Sequence, residues 1–199
     1  NDSQPIFKKV AEVGKADLYE NTRAMPRVWL VGETRLMADS DVVGAVRRGQ
    51  LPDEQLFEKR KIALLSDGGM KAEGFVAPAK EIKIKNFSGA AEIVFLENTT
   101  VKVQSESTTD AFLVLSDLFY PGWKATVDEQ PQEIVRTNYV LRGIFLRPGK
   151  HTVEFRYEPM YLYIGAGISI LGLLVLLGIG YRALKSESGE GAEPENSVI

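Results

Sequence analysis

The feature that most constrains this chain is an uncharged, apolar run at residues 161–181. As an α-helix the run would rise about 31 Å, which matches the roughly 30 Å hydrocarbon core of a bilayer. Tyrosines stand at its two ends, where aromatic rings favour the membrane–water interface: Tyr161, Tyr163 and Tyr181. Core helices of soluble domains seldom run past about 18 residues without a charge. The sequence therefore predicts a transmembrane helix over residues 161–181.

The flanking charges predict how this helix is oriented. Arg182 and Lys185 follow the run directly, and Lys- and Arg-rich flanks stay in the cytoplasm. Lys150 and Arg156 lie upstream and oppose this assignment. We expect residues 1–160 to form an extracytoplasmic β-rich domain and residues 182–199 to form an acidic, disordered cytoplasmic tail. A signal peptide would lie at the other end of the chain.

Small residues recur at helical spacing within the run. Gly165, Ser169 and Gly172 share one face, and such faces let helices approach closely in lipid. The alternative is that glycine is simply common in membrane helices. The pattern predicts that this face packs against another transmembrane helix or another protein subunit.

Composition excludes several classes of protein. The chain has no cysteine, which excludes a disulfide scaffold. With one histidine as well, it lacks the Cys and His ligands of a standard zinc site. A net charge of −3 argues against nucleic acid as a partner. We expect no cofactor and no bound metal.

The polar part of the chain has the pattern of an antiparallel β-sandwich. Between Lys80 and Glu158, short apolar runs alternate with turn signals. Ile82 and Ile84 alternate with charged residues and predict a half-buried strand, and Val153, Phe155 and Tyr157 share one face of the last predicted strand. The run at residues 111–116 is apolar on both faces and predicts a central strand, and the run at residues 92–97 predicts a buried one. Residues 26–31 and 61–65 predict two earlier strands, while Gly68-Gly69 breaks the chain after them. Residues 39–49 predict a short helix that stops at a glycine.

The residue types that could support catalysis form no recognisable motif. His151 could join Ser116 and either Asp117 or Asp128, but no Gly-x-Ser-x-Gly nucleophile elbow is present. Asp110 could pair with either aspartate as in a glycosidase, although solvated carboxylates are the commoner case. We assign no catalytic residue, and a self-contained hydrolase stays the least favoured interpretation.

Aromatic residues near two turns are the candidate binding residues. Tyr120, Trp123 and Tyr139 could form a stacking platform for sugar rings. For Trp123 the alternative is the protein core, because it shares a strand face with Ala125 and Val127.

Three sequence elements occur in a distinctive order: Tyr120-Pro-Gly-Trp123, then Asn138-Tyr-Val-Leu-Arg-Gly143, then Pro148-Gly-Lys-His-Thr-Val-Glu-Phe-Arg-Tyr157. In this order and spacing they resemble the C-terminal end of bacterial YfhO-type membrane proteins. Ala24-Met-Pro-Arg-Val28 resembles an upstream element, so the likeness extends over residues 20–180. It departs at Asp128-Glu129, where the family pattern has Asp-Gly.

The resemblance implies a polytopic membrane protein of the GT-C glycosyltransferase type, which moves sugars from a lipid-linked donor at the outer face of a bacterial membrane. The catalytic carboxylates of such proteins lie in an early loop, and no position of this chain matches them. Because the chain begins at Asn1 without methionine, we expect a C-terminal piece or a stand-alone relative.

Two functions follow as expectations. In the first, the chain is a non-catalytic domain and last membrane helix that supports binding of a glycan or polyprenyl-linked sugar. In the second, it is a membrane-anchored structural subunit that assembles with itself or with other chains. Membrane lipid is an expected partner in both.

Overall fold

The structure is a computed structural model that describes residues 6–66 and 81–187. The chain divides into a β-rich unit that ends at Tyr157 and a helical unit that begins at Glu158. Over the described residues the strands are β1 (Phe7–Val13), β2 (Ala16–Asn21), β3 (Val28–Val31), β4 (Glu33–Met37), β5 (Ile62–Ser66), β6 (Gly89–Leu96), β7 (Thr100–Ser107), β8 (Ala111–Leu118), β9 (Trp123–Val127), β10 (Gln130–Gln132), β11 (Val135–Thr137), β12 (Leu141–Leu146) and β13 (Gly149–Tyr157). The helices are α1 (Asp39–Arg48) and α2 (Met160–Glu187).

Two sheets form a sandwich, which confirms the predicted fold class. One has five antiparallel strands in the order β10-β9-β13-β7-β6, and the other has six strands in the order β3-β8-β12-β11-β5-β4. Only the pairing of β4 with β5 is parallel among these described ladders. The core between the sheets contains buried residues from both: Val28, Leu30, Val101, Val103, Leu113, Leu115, Ala125, Ile144, Leu146, Val153 and Phe155.

Strand β8 is an interior strand of the six-stranded sheet, between β3 and β12, and its apolar run predicts such a strand with both faces covered. Leu113 and Leu115 face the five-stranded sheet, so Phe112 and Val114 project from the opposite face into a second core cluster. There the ring of Phe112 meets Phe145 edge-on, with 4.8 Å between centroids. Gly143 lies beneath this pair, and a Cβ there would come within 2.4 Å of the Phe112 ring. Any larger residue at this position would displace the aromatic pair.

The structure confirms the short helix predicted over residues 39–49. Helix α1 has Asp39 and Asp41 in its first turn and Arg47 and Arg48 in its last, which suits the helix dipole. Gly49 ends it in the left-handed conformation, with φ of 71°. The helix packs on β5 through a third cluster that includes Val42, Ala45, Ile62 and Leu64.

Two strand predictions are wrong in part. The apolar run at residues 92–97 was expected to be buried, but it belongs to β6, an edge strand with mostly exposed side chains. The backbone of Ile82 and Ile84 hydrogen-bonds to Thr34 and Gly32. These bonds make an isolated β-bridge and not a strand, although Ile82 is buried. Edge position follows from the pairing of distant strands, which local hydrophobicity does not report.

An additional hairpin, formed by β1 and β2, was not predicted. Its register runs from Phe7–Asn21 to Val13–Ala16, and the two-residue turn has Gly14 at φ of 67°. Every residue of both strands is exposed.

The second unit is dominated by α2. Its segment Met160–Arg182 is long and apolar enough to cross a membrane. It contains the predicted span of residues 161–181. The predicted Gly68-Gly69 break and residues 188–199 of the predicted tail lie outside the described residues.

Candidate functional site at the Tyr157 end of the sandwich

The three elements that carry the family resemblance meet around one buried cation. Arg142, from the middle element, is 1% exposed. Its guanidinium carbon lies 3.6 Å from the ring centroid of Trp123 and 5.6 Å from that of Phe155. Trp123 comes from the first element and Phe155 from the third, and β9 and β13 are neighbours in the sheet. The guanidinium therefore lies against two aromatic rings, which stabilise a cation through their quadrupoles.

Asp117 balances this buried charge. Arg142 Nη2 donates to Asp117 Oδ2 at 2.8 Å. Arg27 donates to Asp117 Oδ1 from Nε at 3.2 Å and from Nη2 at 2.9 Å. Burial lowers the pKa of Arg142, while the charge of Asp117 and its hydrogen bond to Arg142 act in the opposite direction. One carboxylate thus bridges a buried arginine and a half-exposed one.

A cleft of about 370 Å³ opens beside this ion network. One wall contains Arg27, Asp117 and Trp123, and the other is the turn between β6 and β7, with Leu96, Glu97, Asn98 and Val101. The cleft therefore presents two carboxylates, a guanidinium, an amide and an indole edge. These are the planar polar and aromatic groups that can hydrogen-bond and stack on a sugar.

The structure brings two of the three predicted stacking residues together. Trp123 and Tyr120 flank Tyr157, with ring centroids 5.3 Å and 6.4 Å from it. Tyr120 is well exposed, whereas Trp123 is half-buried, packs against the sandwich core and has Arg142 over its ring. Tyr139 packs instead in the third cluster, with the Arg136 guanidinium 5.8 Å from its ring centroid.

His151 lies in a separate groove of about 650 Å³, together with Asp128. Its Nδ1 is 2.7 Å from Asp128 Oδ2 and its Nε2 is 3.1 Å from the Arg147 carbonyl oxygen. Both ring nitrogens therefore face acceptors and neither faces a serine hydroxyl. Asp128 also accepts the Thr152 N–H at 2.9 Å, and these bonds lower the pKa of Asp128, with the His151 bond the larger cause. The pair supports the β9–β10 turn.

No metal site is apparent in residues 6–66 and 81–187. No group of three or more His, Asp or Glu side chains is arranged there to hold an ion.

The predicted helix-packing residues lie along α2. Ser169 Oγ donates to the Gly165 carbonyl oxygen at 2.9 Å, within the same helix. At Gly165 and Gly172 an added Cβ would meet no atom within 4 Å. This face of the helix is open to close approach.

Sequence reasoning missed the ion network itself. Arg142 stands inside the apolar strand Leu141–Leu146, and a charged residue in such a position signals a buried pair. Its partners could not be identified in that way, because Arg27 and Asp117 are 90 positions apart.

The comparison with known families agrees with the predicted resemblance. Residues 79–169 match the family model described as bacterial membrane protein YfhO. This range includes all three sequence elements and every residue of the cleft except Arg27. No curated protein and no solved structure matches the chain.

Proposed function

We propose, from the match of residues 79–169 to the family model described as bacterial membrane protein YfhO, that the β-rich unit of this chain is a non-catalytic module that binds a glycan or the sugar of a polyprenyl-linked donor. The resemblance to GT-C glycosyltransferases implies a donor of this chemistry. The chemistry itself would belong to other parts of a larger protein, since no position of this chain matches the family's catalytic carboxylates.

The observation that carries this proposal is the composition of the cleft. Asp117 and Arg27 are held by their mutual hydrogen bonds, and Asn98 lies on the opposite wall. Polar side chains that are already held in place lose little conformational entropy when a ligand binds. This favours the binding of polar ligands such as sugars, whose individual contacts are weak. Tyr120 extends the aromatic surface on the exposed side of Tyr157.

We propose the following arrangement at the membrane. The segment Met160–Arg182 crosses the bilayer, with the β-rich unit outside and Lys185 at the cytoplasmic side. Strand β13 ends at Tyr157 and α2 begins at Met160, so two residues link the β-rich unit to the helix.

The test uses the full chain in lipid nanodiscs, with a polyprenyl-phosphate hexose and the sugar-free polyprenyl phosphate as probes. We expect binding of the hexose-bearing lipid to weaken about tenfold, or by about 1.4 kcal/mol, in Asn98→Ala and in Tyr120→Ala. Tyr19→Ala is the matched control, since Tyr19 is another exposed tyrosine but lies in the β1–β2 hairpin. No saturable binding, equal binding of both lipids, or equal loss in the control would contradict the proposal.

The open face of α2 favours a second candidate function, which is assembly. Gly165 and Gly172 would let another helix approach closely, as an assembly subunit or the last helix of a bundle requires. Gly172→Ile should reduce crosslinking between chains in the membrane. Gly178→Ile is the control, because Gly178 is equally uncrowded but lies on a different side of the helix. Equal crosslinking in the two variants would remove this candidate.

A further inference from the structure

One end of the sandwich carries exposed apolar side chains that the core does not use. We define the Tyr157-end patch as Leu118, Tyr120 and Leu96, which are 67%, 61% and 47% exposed. The three residues belong to one end: Leu96 lines the cleft with Asp117, Leu118 follows Asp117 in β8, and the Tyr120 ring centroid lies 6.4 Å from that of Tyr157. The Tyr157 N–H also donates to the Thr99 carbonyl oxygen in the β6–β7 turn, at 2.8 Å.

The opposite end of the five-stranded sheet, where β13 begins, carries exposed charged side chains. There Lys150 pairs with Glu106, and their side chains are 79% and 64% exposed. His151, Asp128 and Gln104 line the nearby groove. Large exposed apolar side chains gathered beside the polar cleft are unfavourable in water, so their presence at the Tyr157 end indicates surroundings other than water alone.

Chain length limits how far the patch can be from a membrane. Strand β13 ends at Tyr157 and α2 begins at Met160. Three residues span at most about 11 Å, whatever angle the chain takes between them. The polar headgroup layer on each side of a bilayer is about 5–8 Å thick. The Tyr157 end of the sandwich is therefore held within reach of the headgroups if α2 spans the bilayer.

We propose that the Tyr157-end patch inserts into the headgroup layer of the bilayer, with lipid as its occupant. Tyr120 suits this layer because its ring is apolar and its hydroxyl is polar, and leucines add apolar area that lipid can cover. The patch anchors the β-rich unit at the membrane surface. This inference rests on the proposed membrane span, and it does not depend on sugar binding.

The absence of cysteine from the natural chain makes a clean test available. The full chain carries a single nitroxide label at Leu118→Cys or Tyr120→Cys, in nanodiscs of phosphatidylcholine and phosphatidylglycerol. Two controls are Lys150→Cys, at the polar end, and Leu171→Cys, in the middle of α2. Collisions with oxygen report lipid, and collisions with a nickel chelate report water. All four positions are exposed, so substitution leaves the fold intact.

We expect the oxygen-to-nickel ratio at positions 118 and 120 to be several-fold higher than at position 150 and lower than at position 171. Ratios at 118 and 120 equal to that at 150 would overturn the inference. Low collision rates with both reagents would mean that protein covers the patch, and would overturn it as well. A ratio at position 171 as low as that at position 150 would contradict both the membrane span and this inference. Failure of the sugar-binding assay alone would contradict the proposed function and not this inference.

Discussion

Arg142 is the residue whose burial most needs an explanation. A fully buried guanidinium is tolerated because Asp117 accepts a 2.8 Å hydrogen bond from it and the rings of Trp123 and Phe155 lie against it. Removal of one partner from such a pair strands the other charge, at a cost of about 3–5 kcal/mol. Replacement of Arg142 by an apolar side chain of similar length removes the buried cation and leaves the Asp117 carboxylate paired with Arg27.

Asp117→Ala should therefore destabilise the β-rich unit by about 3–5 kcal/mol, and Arg142→Met by clearly less. In Arg142→Met the remaining carboxylate keeps its two bonds from Arg27. Denaturant unfolding of the full chain in detergent, followed by the fluorescence of Trp123 and Trp29, would measure both. Equal losses would show that the ion pair is not what holds this end together.

Glu129 occupies a backbone conformation that glycine prefers. The two-residue turn between β9 and β10 has φ of 50° at Asp128 and 68° at Glu129, as a type I′ turn requires. Glu129→Gly should raise the free energy of unfolding by about 1 kcal/mol, because it removes left-handed strain. Glu133→Gly, outside this turn, should lower it slightly by adding freedom to the unfolded chain. A loss of stability in Glu129→Gly would contradict this explanation.

The hydrogen bonds of Asp128 predict how the stability of the fold changes at low pH. His151 and the Thr152 N–H hold the pKa of Asp128 below its ordinary value of 3.8. A carboxylate with a lowered pKa stabilises the fold above 3.8, and that stability is lost as the pH falls from 3.8 through the folded-state pKa. Unfolding titrations over this window should show a steeper loss in the natural chain than in Asp128→Asn. Parallel curves would mean that the bonds do not stabilise the fold.

At the scale of elements, the β1–β2 hairpin is the least supported part of the β-rich unit. All residues of its two strands are exposed, and it is held by its own ladder and by ion pairs of Lys9 with Glu12 and Asp17. An isolated two-stranded hairpin is marginally stable in water. Its amide hydrogens should exchange with solvent much faster than those of β8, which lies between two strands. Hydrogen exchange with mass spectrometry would measure this, and equal protection would show that another chain or lipid covers the hairpin.

Hydrophobic patterns predict the strands of this chain correctly where buried and exposed residues alternate. They fail where the burial of a strand depends on which other strands pair with it. The alternation of Val153, Phe155 and Tyr157 against polar residues predicted β13 correctly. The run that forms β6 is equally apolar, yet a bulge between Ile93 and Phe95 and the lack of an outer partner among the described strands make it an exposed edge. Hairpin β1–β2 had a usable signal in Gly14-Lys15 between apolar residues.

At the scale of the whole molecule, the sequence predicts the class and the parts but not their assembly. The sandwich and the apolar helix follow from hydrophobic patterning, which is local. The cleft does not, since it needs the β6–β7 turn to meet Arg27 and Asp117 from the other sheet. The three family-like elements were each recognisable, but only the fold shows that they converge on Arg142.

Orientation in the membrane decides whether the proposed function is possible, because a lipid-linked donor on the outer surface can reach the cleft only if the β-rich unit is outside. Basic residues after the span favour this orientation. In intact bacterial cells, a membrane-impermeant thiol reagent should label Lys150→Cys at once and Lys185→Cys only after the membrane is permeabilised. The cysteine-free natural chain is the blank. The reverse labelling pattern would put the β-rich unit in the cytoplasm. The cleft could then not bind a lipid-linked donor at the outer surface, and the proposed function would be contradicted.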